Sequence, residues 1–222
     1  MKRREFLLGT SALLLAGRGG VATAAVPATA PAAATARTPY MEVAPLIEDA
    51  RRCIAFFQFG CPHCRDLHPS LERWGRSLPR GVDFEFMPVL APSAPLDRGQ
   101  VMAARAWYAV ARDAPSRLGA FAESAYALVQ DGRLSMEAAT TWEAAARYAG
   151  VSSFTRAWER VRVDRILRAT EKLITYRVQS TPSLAIAGRY VVTLDDTQGD
   201  ADLFLRLASG LLSKSIAPRS SP

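Results

Sequence analysis

Cys61 and Cys64 stand three residues apart with Pro62 and His63 between them, the spacing that lets two thiols at the start of one helical turn open and close a disulfide. Upstream, Ile54, Ala55, Phe56, Phe57, Gln58 and Phe59 make an apolar run of strand length, and Gly60 breaks it before the first cysteine. Downstream, Leu67, Leu71, Trp74 and Leu78 recur at helical spacing with charged residues between them. The pair therefore sits where a strand hands over to a helix, with Cys61 facing free helix N–H groups. The positive end of a helix and the imidazole of His63 both favour a thiolate, the nucleophile of thiol–disulfide exchange. Each tenfold gain in thiolate stability favours the reduced form by about 1.4 kcal/mol, or roughly 30 mV for this two-electron couple. Pro62 and His63 are thus tuning residues, and the pair reads as a disulfide donor.

Other residues that could do chemistry have plainer readings. Cys53 opens the apolar strand beside Ile54 and Ala55 and reads as an inert buried thiol, with mispairing as its functional alternative. His68 follows Cys64 by four residues on the same helix face, so Cys61, Cys64 and His68 offer three zinc ligands. A closed site needs four, and no second Cys or His pair exists, so no metal is expected. Trp74, Trp107, Trp142 and Trp158 fall on helical patterns and read as core.

The elements that must position the pair follow from periodicity and punctuation. Residues 1–24 read as a signal peptide: Lys2, Arg3 and Arg4 form a basic start, Leu7 to Ala16 an apolar core, and Ala22-Thr23-Ala24 a cleavage pattern. Arg3-Arg4-Glu5-Phe6-Leu7 is consistent with the twin-arginine export motif as well as with an ordinary Sec signal, and both routes lead out of the cytoplasm. Residues 25–39, almost all Ala, Pro and Thr, read as a linker. Tyr40 to Ala44 makes a short edge strand, and Val82 to Val89 a second strand, giving strand, helix, strand in the order of a βαβ unit.

Beyond Ala91-Pro92 the pattern is helical. One face carries Val101, Ala104, Tyr108 and Ala111, the next Leu118, Phe121, Ala125 and Leu128, the next Met136, Trp142 and Ala146. A last helix is expected from Ser152-Ser153 through Trp158, Ile166 and Leu173, with Arg156, Arg160, Arg162, Arg165 and Arg168 on its solvent side. Leu184 to Ala187 and Tyr190 to Leu194 flank Gly188-Arg189 as a hairpin, and Asp202 to Leu212 closes the chain as a helix. About half of the 222 residues are apolar, enough for one good core or a core with a subdomain. Net charge is +7 for the chain and +4 once residues 1–24 are removed. The excess arginine lacks an aromatic platform or nucleic-acid motif, so no nucleic-acid partner is expected.

This order resembles the DsbA family of periplasmic thiol:disulfide oxidoreductases from about Tyr40 to Leu212. The residues that carry the likeness are Phe56-Phe57-Gln58-Phe59 leading into Cys61-Pro62-His63-Cys64, the loop Ser180-Thr181-Pro182-Ser183, and the hairpin Ala187-Gly188-Arg189-Tyr190. The resemblance implies an α/β thioredoxin fold at 40–97 and 170–214 with an all-helical subdomain inserted at 98–169. It implies a cis-Pro loop whose Thr181 and Pro182 bind an extended substrate strand. It also implies reduced exported proteins as substrates and a quinone-linked membrane oxidase of the DsbB type as the reoxidising partner, with no cofactor; a soluble periplasmic monomer is expected, since the stretch between the signal and Tyr40 offers no dimerisation domain. Two positions depart from the family. Ala55 stands where many relatives carry a buried acid, so water or another base must serve Cys64, and Thr181 recurs in isomerases as well as oxidases. The expected function is a dithiol oxidase that donates the Cys61–Cys64 disulfide. A reductase or isomerase on the same fold, or a redox-silent peptide-binding module, are the alternatives.

Overall fold

A computed structural model of the chain describes residues 38–93 and 95–217. The signal segment and all of the linker but Thr38 and Pro39 lie outside them. Among the described residues no helix is long and apolar enough to cross a membrane.

The Cys-x-x-Cys pair is positioned by a five-stranded sheet. Its strands are β1 (Met41–Glu42), β2 (Arg52–Phe57), β3 (Asp83–Pro88), β4 (Ser183–Ile186) and β5 (Tyr190–Thr193), in the order β1-β5-β4-β2-β3. β2 pairs parallel with β3, as a strand–helix–strand unit requires, and antiparallel with β4. The helix between them, α1 (Pro62–Arg76), approaches β3 closely: a Cβ at Gly75 would lie 2.2 Å from the Phe84 ring. Alternation along β2 sends Cys53 and Ala55 to the face covered by α1 and the closing helix, and Ile54 and Phe56 to the opposite face. That closing helix, α7 (Ala201–Ile216), seats Phe204, Ala208, Leu211 and Leu212 in the same core.

The opposite face is covered by the helices that run between β3 and β4. These are α2 (Arg98–Asp113), α3 (Leu118–Tyr126), α4 (Ala139–Tyr148), α5 (Phe154–Glu159) and α6 (Val163–Thr175). The inserted helices and the sheet share one aromatic core. Phe57 meets Trp107 of α2 at 4.9 Å between ring centroids, and Phe59 meets Tyr126 and Trp142 at 5.0 and 5.3 Å. Burying each such ring contributes about 2–3 kcal/mol, so the end of β2, which carries the cysteines, is held by the insertion.

Two local expectations are corrected. The single helix expected from Ser152-Ser153 through Leu173 is two, α5 and α6, with Arg162 extended between them. The reason lies on α2: Arg105 donates to the Trp158 carbonyl and Arg112 to the Arg160 carbonyl, each at 3.0 Å, so the last carbonyls of α5 are satisfied from outside and the helix stops. The five arginines are exposed as expected but divide between two helices and the turn joining them, and Arg165 lies over the Tyr108 ring at 5.0 Å. The hairpin turn is also shifted by one residue. Ala187 and Gly188, not Gly188 and Arg189, occupy its centre with φ of 50° and 67°, the mirror-type turn whose twist suits adjacent strands. A Cβ at Gly188 would lie 2.2 Å from the Leu46 carbonyl oxygen, which makes glycine obligatory there.

Behind the sheet, Asp49 is fully buried. It accepts hydrogen bonds from Lys172 and, at 2.7 Å, from the Tyr176 hydroxyl, and lies 3.6 Å from Arg52. This network fastens α6, and with it the chain leading to Thr181, to the segment before β2.

Candidate functional site

Cys61 is the N-cap of α1. Its backbone is extended, Pro62 takes the first helical position where no N–H is needed, and the Cys64 N–H donates to the Cys61 Sγ at 3.2 Å. The Cys61 thiol is half-buried and Cys64 is 1% exposed, so one sulfur faces solvent and its partner lies behind it. Both are free thiols in the structure.

The Thr181–Pro182 peptide bond is cis, and the loop it shapes lies directly against Cys61. The Cys61 thiol donates to the Thr181 carbonyl at 3.3 Å across 120 residues of sequence. Pro182 is buried and Thr181 half-buried, beside an open cavity of about 640 Å³ lined by Gln58, Val89, Leu173, Val178 and Thr181. Of the six residues singled out from sequence, the structure gathers Cys61, Pro62, Cys64, Thr181 and Pro182 around one sulfur. His63 is exposed on the first turn.

The electrostatics of the two thiols diverge. Cys61 is pulled down to about 6, chiefly because the Cys64 thiol donates to its thiolate, with the Thr181 side chain, the Cys64 N–H and finally His63 adding to the effect against partial burial. His63 acts in the expected direction, but it is the smallest of these causes. Cys64 is driven up by the same hydrogen bond and by burial. Burial also pushes Cys53, with no exposed surface, up to about 12, which suits an inert thiol. The arrangement can hold an attackable outer sulfur and a protonated inner one.

Sequence reasoning missed the residues that brace the pair from the insertion. The end of α3 widens into a π-helical turn, Ala127–Asp131, in which the Gly132 N–H donates to the Ala127 carbonyl at 2.9 Å. This turn presents Gln130, whose side-chain amide donates to the Phe59 carbonyl at 2.9 Å and the Cys61 carbonyl at 3.0 Å. Its neighbour Asp131 forms a two-pronged pair with Arg65 at 2.6 and 2.8 Å. The only local signal was the Asp131-Gly132 break. His68 was noted only as a zinc ligand, but its ring stacks on Phe86 at 4.2 Å and is 5% exposed. Among the described residues no group of three or more His, Cys, Asp or Glu side chains is placed to hold a metal ion.

No protein-family model matches the chain. Over 36 residues it is 42% identical to the thiol:disulfide interchange protein DsbA of Burkholderia cepacia, a stretch covering 16% of this chain and 17% of that protein. In three dimensions it is similar to DsbA of Pseudomonas aeruginosa, with a TM-score of 0.67 at 17% identity over 81% of this chain and 93% of that one. DsbA of Klebsiella pneumoniae gives 0.64 at 19% identity, covering 81% and 95%. The Xylella fastidiosa oxidoreductase DsbA gives 0.61 at 21%, covering 81% and 96%. The described chain thus has the DsbA fold, a thioredoxin fold carrying a helical insertion.

Proposed function

We propose that this chain is a DsbA-type thiol:disulfide oxidoreductase that donates the Cys61–Cys64 disulfide to reduced proteins in the periplasm. The observation that carries this reading is the asymmetry of the pair: a half-buried, acidic Cys61 capping a helix, with a buried, weakly acidic Cys64 behind it.

A substrate thiolate attacks the Cys61 sulfur of the enzyme disulfide, forming a mixed disulfide and expelling the Cys64 thiolate, which takes up a proton. A second substrate thiolate then attacks the substrate sulfur of the mixed disulfide and expels the Cys61 thiolate. Two substrate thiols are oxidised and one enzyme disulfide is reduced. Because Cys61 is a stable thiolate it leaves readily, which drives electrons toward the enzyme. Thr181 and Pro182 bind the substrate as an added strand, with the Thr181 backbone as its hydrogen-bonding edge. Pro62 and His63 tune the sulfur. The dithiol is returned to the disulfide by a quinone-linked membrane oxidase of the DsbB type, and the protein works as a monomer.

The test is the reduction potential of the Cys61/Cys64 couple, measured against glutathione, together with oxidation of a reduced two-cysteine peptide. A potential near about −120 mV with rapid peptide oxidation is expected for a donor, whereas a value near about −270 mV would make the protein a reductase. A couple that exchanges with neither would leave a binding module.

A further inference from the structure

Away from the cysteines, the end of α2 and the start of α6 enclose a cavity of about 470 Å³. The separation follows from α2 itself. A Cβ at Gly60 and one at Gly99 would both meet Met136, so the first turn of α2 lies beside the cysteine turn. Arg112, in the last turn, is roughly 20 Å further on at about 1.5 Å per residue.

Five arginines line this cavity, Arg112, Arg160, Arg162, Arg165 and Arg168, against one carboxylate, that of Asp164. Guanidinium groups gathered around one space repel each other and focus a positive potential inside it. Carboxylates of the protein balance three of the five: Arg112 lies 3.1 Å from Asp113, Arg162 3.0 Å from Asp164 and Arg165 3.7 Å from Glu85. Arg160 and Arg168 form no ion pair with a described residue, although both are exposed at the rim. The same rim is the start of α6, whose N-terminus no side chain caps, so the positive end of the helix adds to the field, offset in part by Asp164.

Tyr108 forms the inner wall and is 4% exposed. Its hydroxyl makes no hydrogen bond to a described residue, and the charged groups that act on it are Glu85, Arg165 and Arg168. All three line a second cavity, of about 530 Å³, which shares Tyr108, Ala111, Arg165 and Arg168 with the first and follows the edge strand β3. Burial and Glu85 raise the Tyr108 titration, so the phenol is a neutral donor without an acceptor. A buried hydroxyl left that way is costly unless a ligand or solvent oxygen meets it.

We propose that this arginine-lined cavity binds a phosphate group, with Arg160 and Arg168 as its ion-pairing partners and Tyr108 as a neutral donor at its base. A phosphate brings roughly two charges and three strong acceptor oxygens, so it balances both unpaired guanidinium groups and still accepts from the phenol. A single carboxylate has one charge for the same task. The planar guanidinium fork matches phosphate oxygens two at a time. The volume lies within the range of about 300–1,000 Å³ that suits a small ligand. A soluble phosphate compound and a phospholipid head group supply the same chemistry. They differ in what surrounds the phosphate: Val163 and Leu167, 68% and 42% exposed on α6, would rest on acyl chains only beside a lipid.

The experiment measures binding of inorganic pyrophosphate by calorimetry, and of phosphatidylglycerol vesicles against phosphatidylcholine vesicles by sedimentation. Both are done near 0.15 M salt, where exposed charges are screened beyond about 8 Å. Saturable binding of pyrophosphate, or binding selective for phosphatidylglycerol, is expected. Arg160→Gln with Arg168→Gln should weaken it by about tenfold or more, and Tyr108→Phe by roughly fivefold. Arg73→Gln with Arg206→Gln removes the same charge from exposed positions of α1 and α7 and should change neither. Val163→Ser separates the sources, since it weakens attachment to vesicles and leaves pyrophosphate binding as it was. Failure of both probes to bind would overturn the proposal, and so would an equal loss in the Arg73/Arg206 pair, which marks charge without a site. Capture of a polyglutamate peptide in place of either probe would overturn it too, because the ligand would then be an acidic protein segment.

Discussion

Gln130 donates to the Cys61 carbonyl at 3.0 Å, joining the π-helical turn of the insertion to the residue that caps α1. The same amide holds the Phe59 carbonyl. One side chain therefore bonds two backbone acceptors on either side of Gly60; the Cys61 carbonyl also accepts from the Arg65 N–H at 3.3 Å, so it is the Phe59 carbonyl that depends on Gln130. Gln130→Leu removes that donor, and leaving the carbonyl of the buried Phe59 unsatisfied costs about 1–3 kcal/mol. Its melting temperature should fall clearly. Asp131→Asn, which loosens an exposed and screened pair with Arg65, should change far less. Equal losses in the two variants would show that the Gln130 contacts are not the fastening.

The two cysteines are unequal, and their variants should behave unequally. With Cys64→Ala, Cys61 still exchanges with activated disulfides but cannot be released by internal attack, so reducible adducts should accumulate on non-reducing gels. With Cys61→Ala, the buried Cys64 should stay unmodified, since exposure and thiolate fraction both control reactivity. Equal labelling of the two variants contradicts the assignment.

Thiolate absorbance followed against pH should show Cys61 titrating near 6. His63→Ala should raise that value only slightly, because His63 is the smallest of the groups favouring the thiolate, whereas Cys64→Ala, which removes the largest, should raise it much more. The reverse ranking would make the imidazole the principal tuning group.

The low Cys61 value also sets a pH dependence of stability. Between about pH 6 and pH 9 the folded dithiol holds a thiolate while the unfolded chain still holds a thiol, so the unfolded state binds more protons and stability of the reduced protein rises with pH. The advantage is lost as pH falls through 6. Above about pH 9 it is opposed by Cys53, which stays protonated in the fold and ionises in the unfolded chain. The slope should stay below the limit of about 1.4 kcal/mol per pH unit because Cys61 is half-exposed and screened. Denaturant midpoints of the reduced and oxidised forms, measured from pH 5 to 9, test this: a gap that does not widen in favour of the reduced form rules it out.

Lys172→Met should destabilise the protein by about 3 kcal/mol, since it leaves the fully buried Asp49 with only the Tyr176 hydroxyl and the longer Arg52 contact. Adding Asp49→Asn should recover part of the loss. A double variant no more stable than Lys172→Met in urea melts would show that the buried charge is not the cause.

What the sequence determined by itself is local. Apolar run, glycine, Cys-x-x-Cys and a 3.6-residue pattern placed the thiols at a helix start, because each of those signals acts within a few residues of the bond it shapes. The parallel pairing of β2 with β3 followed from the same order. What only the tertiary structure decided are contacts between distant segments: the Thr181 carbonyl against Cys61 across 120 residues, and the Gln130 amide across 69. The ending of α5 by Arg105 and Arg112 is of the same kind. A side chain bonding a remote carbonyl leaves no periodicity, so an ordinary Gln in a helix end and ordinary arginines on α2 carried no mark of their roles. The order of influences on Cys61 was hidden for the same reason. It depends on which donor reaches the sulfur and on how much solvent screens His63, and both are properties of packing.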